Sequence, residues 1–351
     1  MGSTKTHLNN SSALSGPDVV FVTGAGGVIG QALIRRFTRQ VFLCLAHKNP
    51  VNAADVVTGD VCLSQLGMSS DTYDSVAENI DCVIHSAAIT DFGMPADDIM
   101  AVNVDGTQRV LELAAKAGVP FYHISTAYIH SHSEGEPTPY ELSKIRAEEL
   151  VRKSGIPATI IRPSVILGDA VTGEISSFQG FHFLIGLYLR GLLPFLPALP
   201  DSYIDFVPQD FVADAIMALI RQNRIGEEIW LTAGTHALRI DDIVDCCIHE
   251  IPPLGRPLDR PNMISRDTYE RLFRPAFFHS LPKRQKRLMD RAMTMVKYLN
   301  TVDALPSNSP DLEISLNISP MPDPRATLRS SLFYWARHHR MLPSAAQIGE
   351  P

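Results

Sequence analysis

Tyr140 and Lys144 stand four residues apart, in a stretch with helical character. That spacing sets a phenol and an ammonium on one helix face. Ser125 and Thr126 precede them by a short connection, at the end of an apolar run that reads as a strand. A hydroxyl, a phenol and an amine gathered at one sheet edge are the side-chain types that hold or pass a proton. A second group lies upstream, in Thr23-Gly24-Ala25-Gly26-Gly27-Val28-Ile29-Gly30. Gly24 can take the positive φ of a tight turn. Gly27 lets backbone approach a pyrophosphate, and Gly30 lets the following helix pack close to the strand. The helix N-terminus then offers N–H groups and partial positive charge to phosphate.

The same stretch bears on which dinucleotide is held. A ribose diol is usually met by a carboxylate roughly 20 residues beyond the glycines. No Asp or Glu occurs from Gly24 to Ala54, and the expected position holds His47 and Lys48, with Arg35 and Arg36 on the preceding helix. A cation there attracts a 2′-phosphate, so the sequence predicts NADP(H).

These residues need a scaffold. Val19–Val22, Val41–Leu45, Asp81–His85, Phe121–Ser125, Ala158–Arg162 and Glu228–Thr232 read as strands. Helical patterns over Val28–Gln40, Pro95–Lys116, Thr138–Lys153 and Gln209–Arg221 alternate with them. Such alternation predicts an α/β fold: a Rossmann-like, doubly wound parallel sheet with helices on both faces. From about Gly234 the chain turns mostly helical. The expected organisation is a tail (1–17), a dinucleotide domain (18–168 and 206–233), a smaller substrate region (169–205 and 234–340) and a second tail (341–351).

Composition narrows the classes further. The chain has 351 residues, 31 basic and 38 acidic, for a net charge of −7. That balance argues against a general nucleic-acid binder. Five cysteines without a CxxC spacing give neither a disulfide framework nor a metal site, and point to reduced thiols and the cytoplasm. Met1-Gly2-Ser3-Thr4-Lys5-Thr6 fits a myristoylation pattern that is short and matches by chance. The most apolar stretch, Gly180–Pro200, is interrupted by Arg190 and by Pro194, Pro197 and Pro200, so it is no transmembrane segment. The basic run Arg271–Arg291 reads as a solvated face, with an anionic ligand or peripheral membrane contact as the alternatives.

Taken together, the motifs resemble the extended short-chain dehydrogenase/reductase family, in family order from Val19 to about Leu231. They are TGAGGVIG at Thr23–Gly30, Gly59-Asp60-Val61, His85-Ser86-Ala87-Ala88, Asn103-Val104-Asp105-Gly106-Thr107, Ser125-Thr126-Ala127-Tyr128, Tyr140 with Lys144, Arg162-Pro163-Ser164-Val165 and Val207-Pro208-Gln209-Asp210. The resemblance implies an NAD(P)-dependent oxidoreductase. It implies that Asp60 and the Val61 backbone hold the adenine, and that Ser86, Ala87 and Ala88 line the path to the nicotinamide ribose. Tyr140 would be the general acid, Lys144 would tune it and bind ribose, and Thr126 would donate to the carbonyl oxygen. Ser125 and Pro163, Ser164 and Val165 would lie beside the nicotinamide, and Asn103 would clamp backbone. Within the family, Ser125–Tyr128 and the stretch marked by Phe178, Phe181, Gly191 and Asp205–Ile216 resemble thioester reductases and fatty acyl-CoA reductases. Their glycine motif usually reads TGATGFLG, from which this chain departs at Gly26, Val28 and Ile29.

The apolar insert after Leu167 suits an acyl chain or another hydrophobic skeleton, with Phe181, Leu184 and Leu187 as expected substrate contacts. Core packing or a homodimer surface would account for the same residues. Three functions stand as expectations: reduction of a hydrophobic carbonyl or carrier-bound acyl thioester, dehydrogenation or epimerisation at a ring hydroxyl, and non-catalytic NADP binding.

Overall fold

Successive side chains of the first strand enter different cores. Val20 and Val22 join a cluster with Ile29, Leu33, Val212 and Ile216, while Phe21 joins one with Val76, Val110, Leu113 and Val151. Side chains alternate across a strand, so a β-branched or aromatic residue at every position obliges helices to cover both faces. The computed structural model describes residues 16–342, except 48–50, 52, 92, 131–136, 179, 194, 197, 252–256, 279–281 and 300. Lys48 and the amino-terminal hexapeptide therefore lie outside the described residues.

The parallel sheet consists of β1 (Val19–Thr23), β2 (Val41–Ala46), β3 (Asp55–Thr58), β4 (Cys82–His85), β5 (Phe121–Ile124), β6 (Ala158–Pro163) and β11 (Glu228–Leu231). Their order is β11-β6-β5-β4-β1-β2-β3. Between them run α1 (Val28–Arg36), α2 (Ser70–Asn79), α3 (Ala96–Met100), α4 (Gly106–Ala117), α5 (Pro139–Lys153), α6 (Gly180–Leu189) and α7 (Gln209–Arg221). Short ladders pair β7 (Val165–Leu167) with β10 (Phe206–Pro208), β9 (Tyr203–Ile204) with β12 (Leu238–Arg239), and β8 (Phe195–Leu196) with β13 (Asn262–Met263). The chain continues through α8 (Ile240–His249), the short α9 (Arg266–Thr268) and α10 (Arg274–Phe278), α11 (Lys283–Leu299), α12 (Ser309–Leu316) and α13 (Pro324–His338).

Strand order reverses between β1 and β4, whose registers set Thr23 beside His85. A crevice opens at such a switch point, outside the carboxyl ends of the strands. A third core gathers α6, α8, α11 and α13 over that edge, with Tyr128 and Tyr140 at its border. Leu312 and Leu316 of α12 instead pack with the α1/α7 layer, so part of segment 234–340 returns to the sheet.

Two helices differ from expectation. The helix expected to reach Gln40 ends at Arg36, because Phe37 leaves helical geometry (φ −114°, ψ 60°). Gln40 then spends its side-chain amide on the carbonyls of Pro17 and Asp18, at 2.8 and 2.9 Å. The helix expected over Pro95–Lys116 is interrupted by a π-helical turn, Ala101–Asp105, and stops at Gly118 in the left-handed region (φ 68°). Among the described residues no helix is long and apolar enough to cross a membrane. The apolar stretch from Gly180 contributes the ten-residue α6, buried along most of its length. In the basic run, Arg271, Arg274 and Arg291 pair with Asp267, Glu270 and Asp91.

Candidate active site

The glycine loop packs so closely that side chains are excluded. Gly24 has φ +72°, and a Cβ there would lie 2.6 Å from the Ala87 backbone nitrogen. A Cβ on Gly30 would lie 2.5 Å from Ala25 Cα, so the first turn of α1 sits on the loop itself. Gly26 is half-buried between them, and Gly27 is exposed. Gly27 caps α1 without any side-chain hydrogen bond, no acid occupies the first turn, and Arg35 and Arg36 occupy the last. The helix therefore presents unsatisfied N–H groups and its positive end at the crevice. A cradle of this form, walled by backbone and free of carboxylate, fits a dinucleotide pyrophosphate.

Helix α5 brings Tyr140 and Lys144 to the crevice. Thr138 and Glu141 form a reciprocal capping box and Pro139 opens the first turn, which fixes where the helix starts. Tyr140 and Lys144 are buried one turn apart on the crevice side. Lys144 Nζ donates to the Ile124 carbonyl at 2.7 Å. Burial pushes the Lys144 ammonium down to about 8, partly offset by the Glu148 carboxylate. Ser125 follows β5, anchored by its N–H to the Ile161 carbonyl at 2.7 Å, and its buried Oγ has no hydrogen-bond partner among the described residues. Thr126 Oγ1 accepts from the Tyr128 N–H at 3.3 Å. Tyr128 in turn donates its hydroxyl to the Asp205 carbonyl at 2.9 Å.

Two buried systems hold this face in register. The first is ionic. Arg162 on β6 makes a bidentate pair with Glu148 on α5, at 2.8 and 2.7 Å, and both side chains are almost wholly inaccessible. Arg152 and Glu228 complete the cluster, and the Arg162 guanidinium lies 4.6 Å from the Trp230 ring centre. The second is a hydrogen-bonded chain through His85. Thr107 Oγ1 donates to the Asn103 carbonyl at 2.7 Å, so it accepts from His85 Nε2 at 3.0 Å. His85 Nδ1 is then the acceptor for Thr23 Oγ1 at 2.7 Å, and Thr23 accepts from the Ala87 N–H at 3.3 Å. Burial, with the nearby Lys144 charge, pushes His85 down to about 3, so it is neutral and can fill both roles.

The cleft is a cavity of about 230 Å³. It brings together Gly27, Val28 and Ile29; Ser86 and Ala88; Ser125 and Thr126; Tyr140 and Lys144; Pro163, Ser164 and Val165; and Phe181. Gly24, Gly26, Gly30 and Ala87 stand behind this lining in the glycine loop and the turn it touches. Asn103 clamps backbone: its amide accepts from Ile89 N–H at 2.7 Å and donates to the Ile89 carbonyl at 3.0 Å and to Ser143 Oγ at 2.9 Å. Leu184 and Leu187 do not border the cleft. Leu187 is buried in the third core, off the helix face that carries Phe181 and Leu184.

Asp60 and Val61 follow β3 at the far end of the crevice, where Asp60 Oδ1 accepts from the Cys62 N–H at 2.9 Å. His47 Nε2 lies 3.2 Å from Asp60 Oδ2. Strand β3 pairs with β2, so its outgoing loop falls beside His47. The stretch free of acids in sequence thus meets a carboxylate in space. Arg35 and Arg36 are engaged elsewhere, by Glu174 and Asp214. Sequence reasoning missed Thr90, Ile166 and Met295 as lining residues. Met295 comes from α11, in a region without any motif, and nothing in its sequence marked it.

A glycine cradle at a sheet switch point, facing a Tyr–Lys helix, defines an extended short-chain dehydrogenase/reductase, a class of NAD(P)-dependent oxidoreductases. Comparison with known proteins fixes the branch. The family model described as "Male sterility protein" matches residues 45–138 and 131–216. The chain is 30% identical over 241 residues to a PKS-NRPS hybrid synthetase (acdB) of Aspergillus candidus, covering 58% of this chain and 10% of that protein. It is 25% identical over 274 residues to the fatty acyl-CoA reductase wat of Drosophila melanogaster, covering 57% and 53% respectively. It thus spans about half or less of these relatives. The terminal R domain from the myxalamid PKS-NRPS biosynthetic pathway superposes with a TM-score of 0.75 at 22% identity, over 94% of this chain and 93% of that one, a likeness of fold. The chain belongs to the extended short-chain dehydrogenase/reductase family, in its male-sterility-like branch.

Proposed function

We propose that this chain is an NADPH-dependent reductase of an acyl thioester or similar hydrophobic carbonyl, presented on a carrier. One observation carries the reading: the phenol, ammonium and hydroxyls share a single cleft with the N-terminal end of α1 and with the apolar Phe181. The bound nicotinamide would supply hydride. Tyr140 gives a proton to the carbonyl oxygen, and the Lys144 cation one turn away favours the phenolate left behind. Thr126 donates to the same oxygen as negative charge develops. With a thioester, loss of the thiol leaves an aldehyde. Gly24, Gly26, Gly27, Val28, Ile29 and Gly30 would hold the pyrophosphate, Asp60 and Val61 the adenine, and Ser86, Ala87 and Ala88 the path to the ribose. Lys144 would hold the nicotinamide ribose, and Ser125, Pro163, Ser164 and Val165 would line its place in the cleft. His47 and Lys48 would take the 2′-phosphate. The five free cysteines support a reducing, cytoplasmic setting.

The test is product analysis with NADPH against parallel panels of acyl thioesters and ketones. Aldehyde or alcohol from the thioesters is the expected result. Turnover of ring ketones alone would overturn the thioester reading in favour of ring-hydroxyl chemistry. Tight NADPH binding without turnover of either panel would overturn catalysis itself.

A further inference from the structure

A second cavity lies behind the cleft, enclosed by α6, α8 and α11, with a volume of about 60 Å³. Phe181 borders both spaces. So do consecutive residues of α11, with Met295 on the cleft and Val296 on the chamber. A wall one side chain thick therefore separates the reacting face from the chamber, and a methionine, the most adaptable of apolar side chains, forms part of it. On α6 the chamber is lined at Phe181, Leu184, Ile185 and Tyr188, one helical stripe.

The lining chemistry is uniform. Tyr188 and Cys247 are the two lining side chains that carry a heteroatom. The Tyr188 hydroxyl is committed to the Asp259 carbonyl at 3.1 Å, and Cys247 is a fully buried thiol. A water there would find almost nothing to bond, and cavities of that kind stay dry. Unfilled, the lining forfeits dispersion contacts that an entering hydrocarbon would restore.

We infer that this chamber receives the distal, apolar end of the substrate's acyl chain, which passes the Phe181 partition to enter. Phe181, Val244 and Cys247 thereby set the accepted chain length. The inference rests on the cleft's reading as an acyl-reducing site. At roughly 10–15 Å³ for each water-sized group, 60 Å³ holds about four to six carbons. Acceptance should thus rise with length and then stop at a ceiling.

The experiment uses the full chain with NADPH and acyl-pantetheine thioesters of four, eight, twelve and sixteen carbons. Val244→Phe fills the chamber. It should lower kcat/KM for the longest accepted chain by about tenfold or more while the four-carbon substrate changes by less than about twofold. Leu184→Ala enlarges the chamber and should raise the ceiling, which keeps the inference testable if the filled variant fails to fold. Calorimetric binding of the matching non-reducible thioethers separates the two levels of argument. Thioester reduction with a length profile indifferent to both variants overturns the chamber and leaves the function standing. Absence of thioester reduction, with twelve-carbon thioether binding weakened about tenfold by Val244→Phe, overturns the function and supports the chamber. Thioether affinity independent of both length and variant overturns the chamber outright.

Discussion

On the sheet side of the cleft, most buried polar atoms are committed: Lys144 to the Ile124 carbonyl, Asn103 to Ile89, Arg162 to Glu148, with the Ser125 hydroxyl as an exception. On the α6/α11 side the wall is hydrocarbon, and Phe181, Leu184, Met295 and Val296 meet through shape alone. The two sides answer to different physics. A buried polar group tolerates few neighbours, because leaving it unpaired costs about 1–3 kcal/mol. An apolar wall accepts any side chain of suitable volume, at a cost usually below about 1.5 kcal/mol. Substitutions on the first side should therefore act all-or-none, and those on the second should act by degree.

The sharpest break lies at Tyr140. Tyr140→Phe keeps the ring and its burial, so the thermal transition and cofactor affinity should hardly move. Turnover should fall by roughly 10²–10⁴-fold, the usual worth of a positioned general acid. A variant retaining more than about a tenth of its activity on every substrate would remove the phenol from the mechanism. Next in size is the ionic cluster. Arg162→Met strands the Glu148 carboxylate in the interior and should cost about 3 kcal/mol, softened by Arg152 at 2.7 Å. Adding Glu148→Leu should restore much of that loss in urea unfolding. If the single variant unfolds like the parent protein, the cluster does not secure α5.

Lys144 sharpens the contrast through pH. In the free protein its ammonium is held down to about 8 by burial. If Lys144 holds the dinucleotide as proposed, cofactor affinity should hold below about pH 8 and weaken above it by up to about tenfold per pH unit, as the cation in the cleft is lost. Lys144→Met should give weaker binding with a flat profile across the same range, and a parallel decline in both proteins would acquit the lysine. Stability at the acid end has the opposite owner. His85 and His182 are held down to about 3 and about 4 from an ordinary 6.5, chiefly by burial. The unfolded chain therefore takes up protons first, and stability present above about pH 6.5 is lost as pH falls toward 4. Urea midpoints at pH 7 and pH 5 should show the decline, and equal midpoints would contradict it. The smallest expected effect is cofactor choice. NADPH should raise the melting temperature more than NADH at equal concentration, and Lys48→Glu should erase the difference. Equal stabilisation in the parent protein would end the argument from charge.

The same contrast explains what the sequence disclosed. The strands were legible because β1, β4 and β5 are buried on both faces, which demands runs that are mainly apolar and free of charge. The glycines, Tyr140 and Lys144 were legible because few other residue types meet a backbone contact of 2.6 Å or a buried carbonyl. Met295 and Val296 were not, since many apolar residues would fill their places and no spacing singles them out. The acid-free stretch from Gly24 to Ala54 left one neighbour of His47 unseen, for another reason. Asp60 returns beside His47 through strand pairing, a neighbourhood that linear distance cannot express.

The π-helical turn at Ala101–Asp105 carries a consequence about length rather than identity. There the Gly106 N–H reaches back five residues to the Ala101 carbonyl, so the turn holds one residue more than ordinary winding allows. That surplus residue is where Asn103 leans across to Ile89. Removing Ala101 or Val102 from the five would let the helix run on regularly into α4. Everything before the cut would then rotate by about 100° relative to the helix beyond it. The amide would swing off Ile89 although every motif was still spelled correctly. A scan of point substitutions would pass over this dependence, and a scan of single-residue deletions would expose it at once.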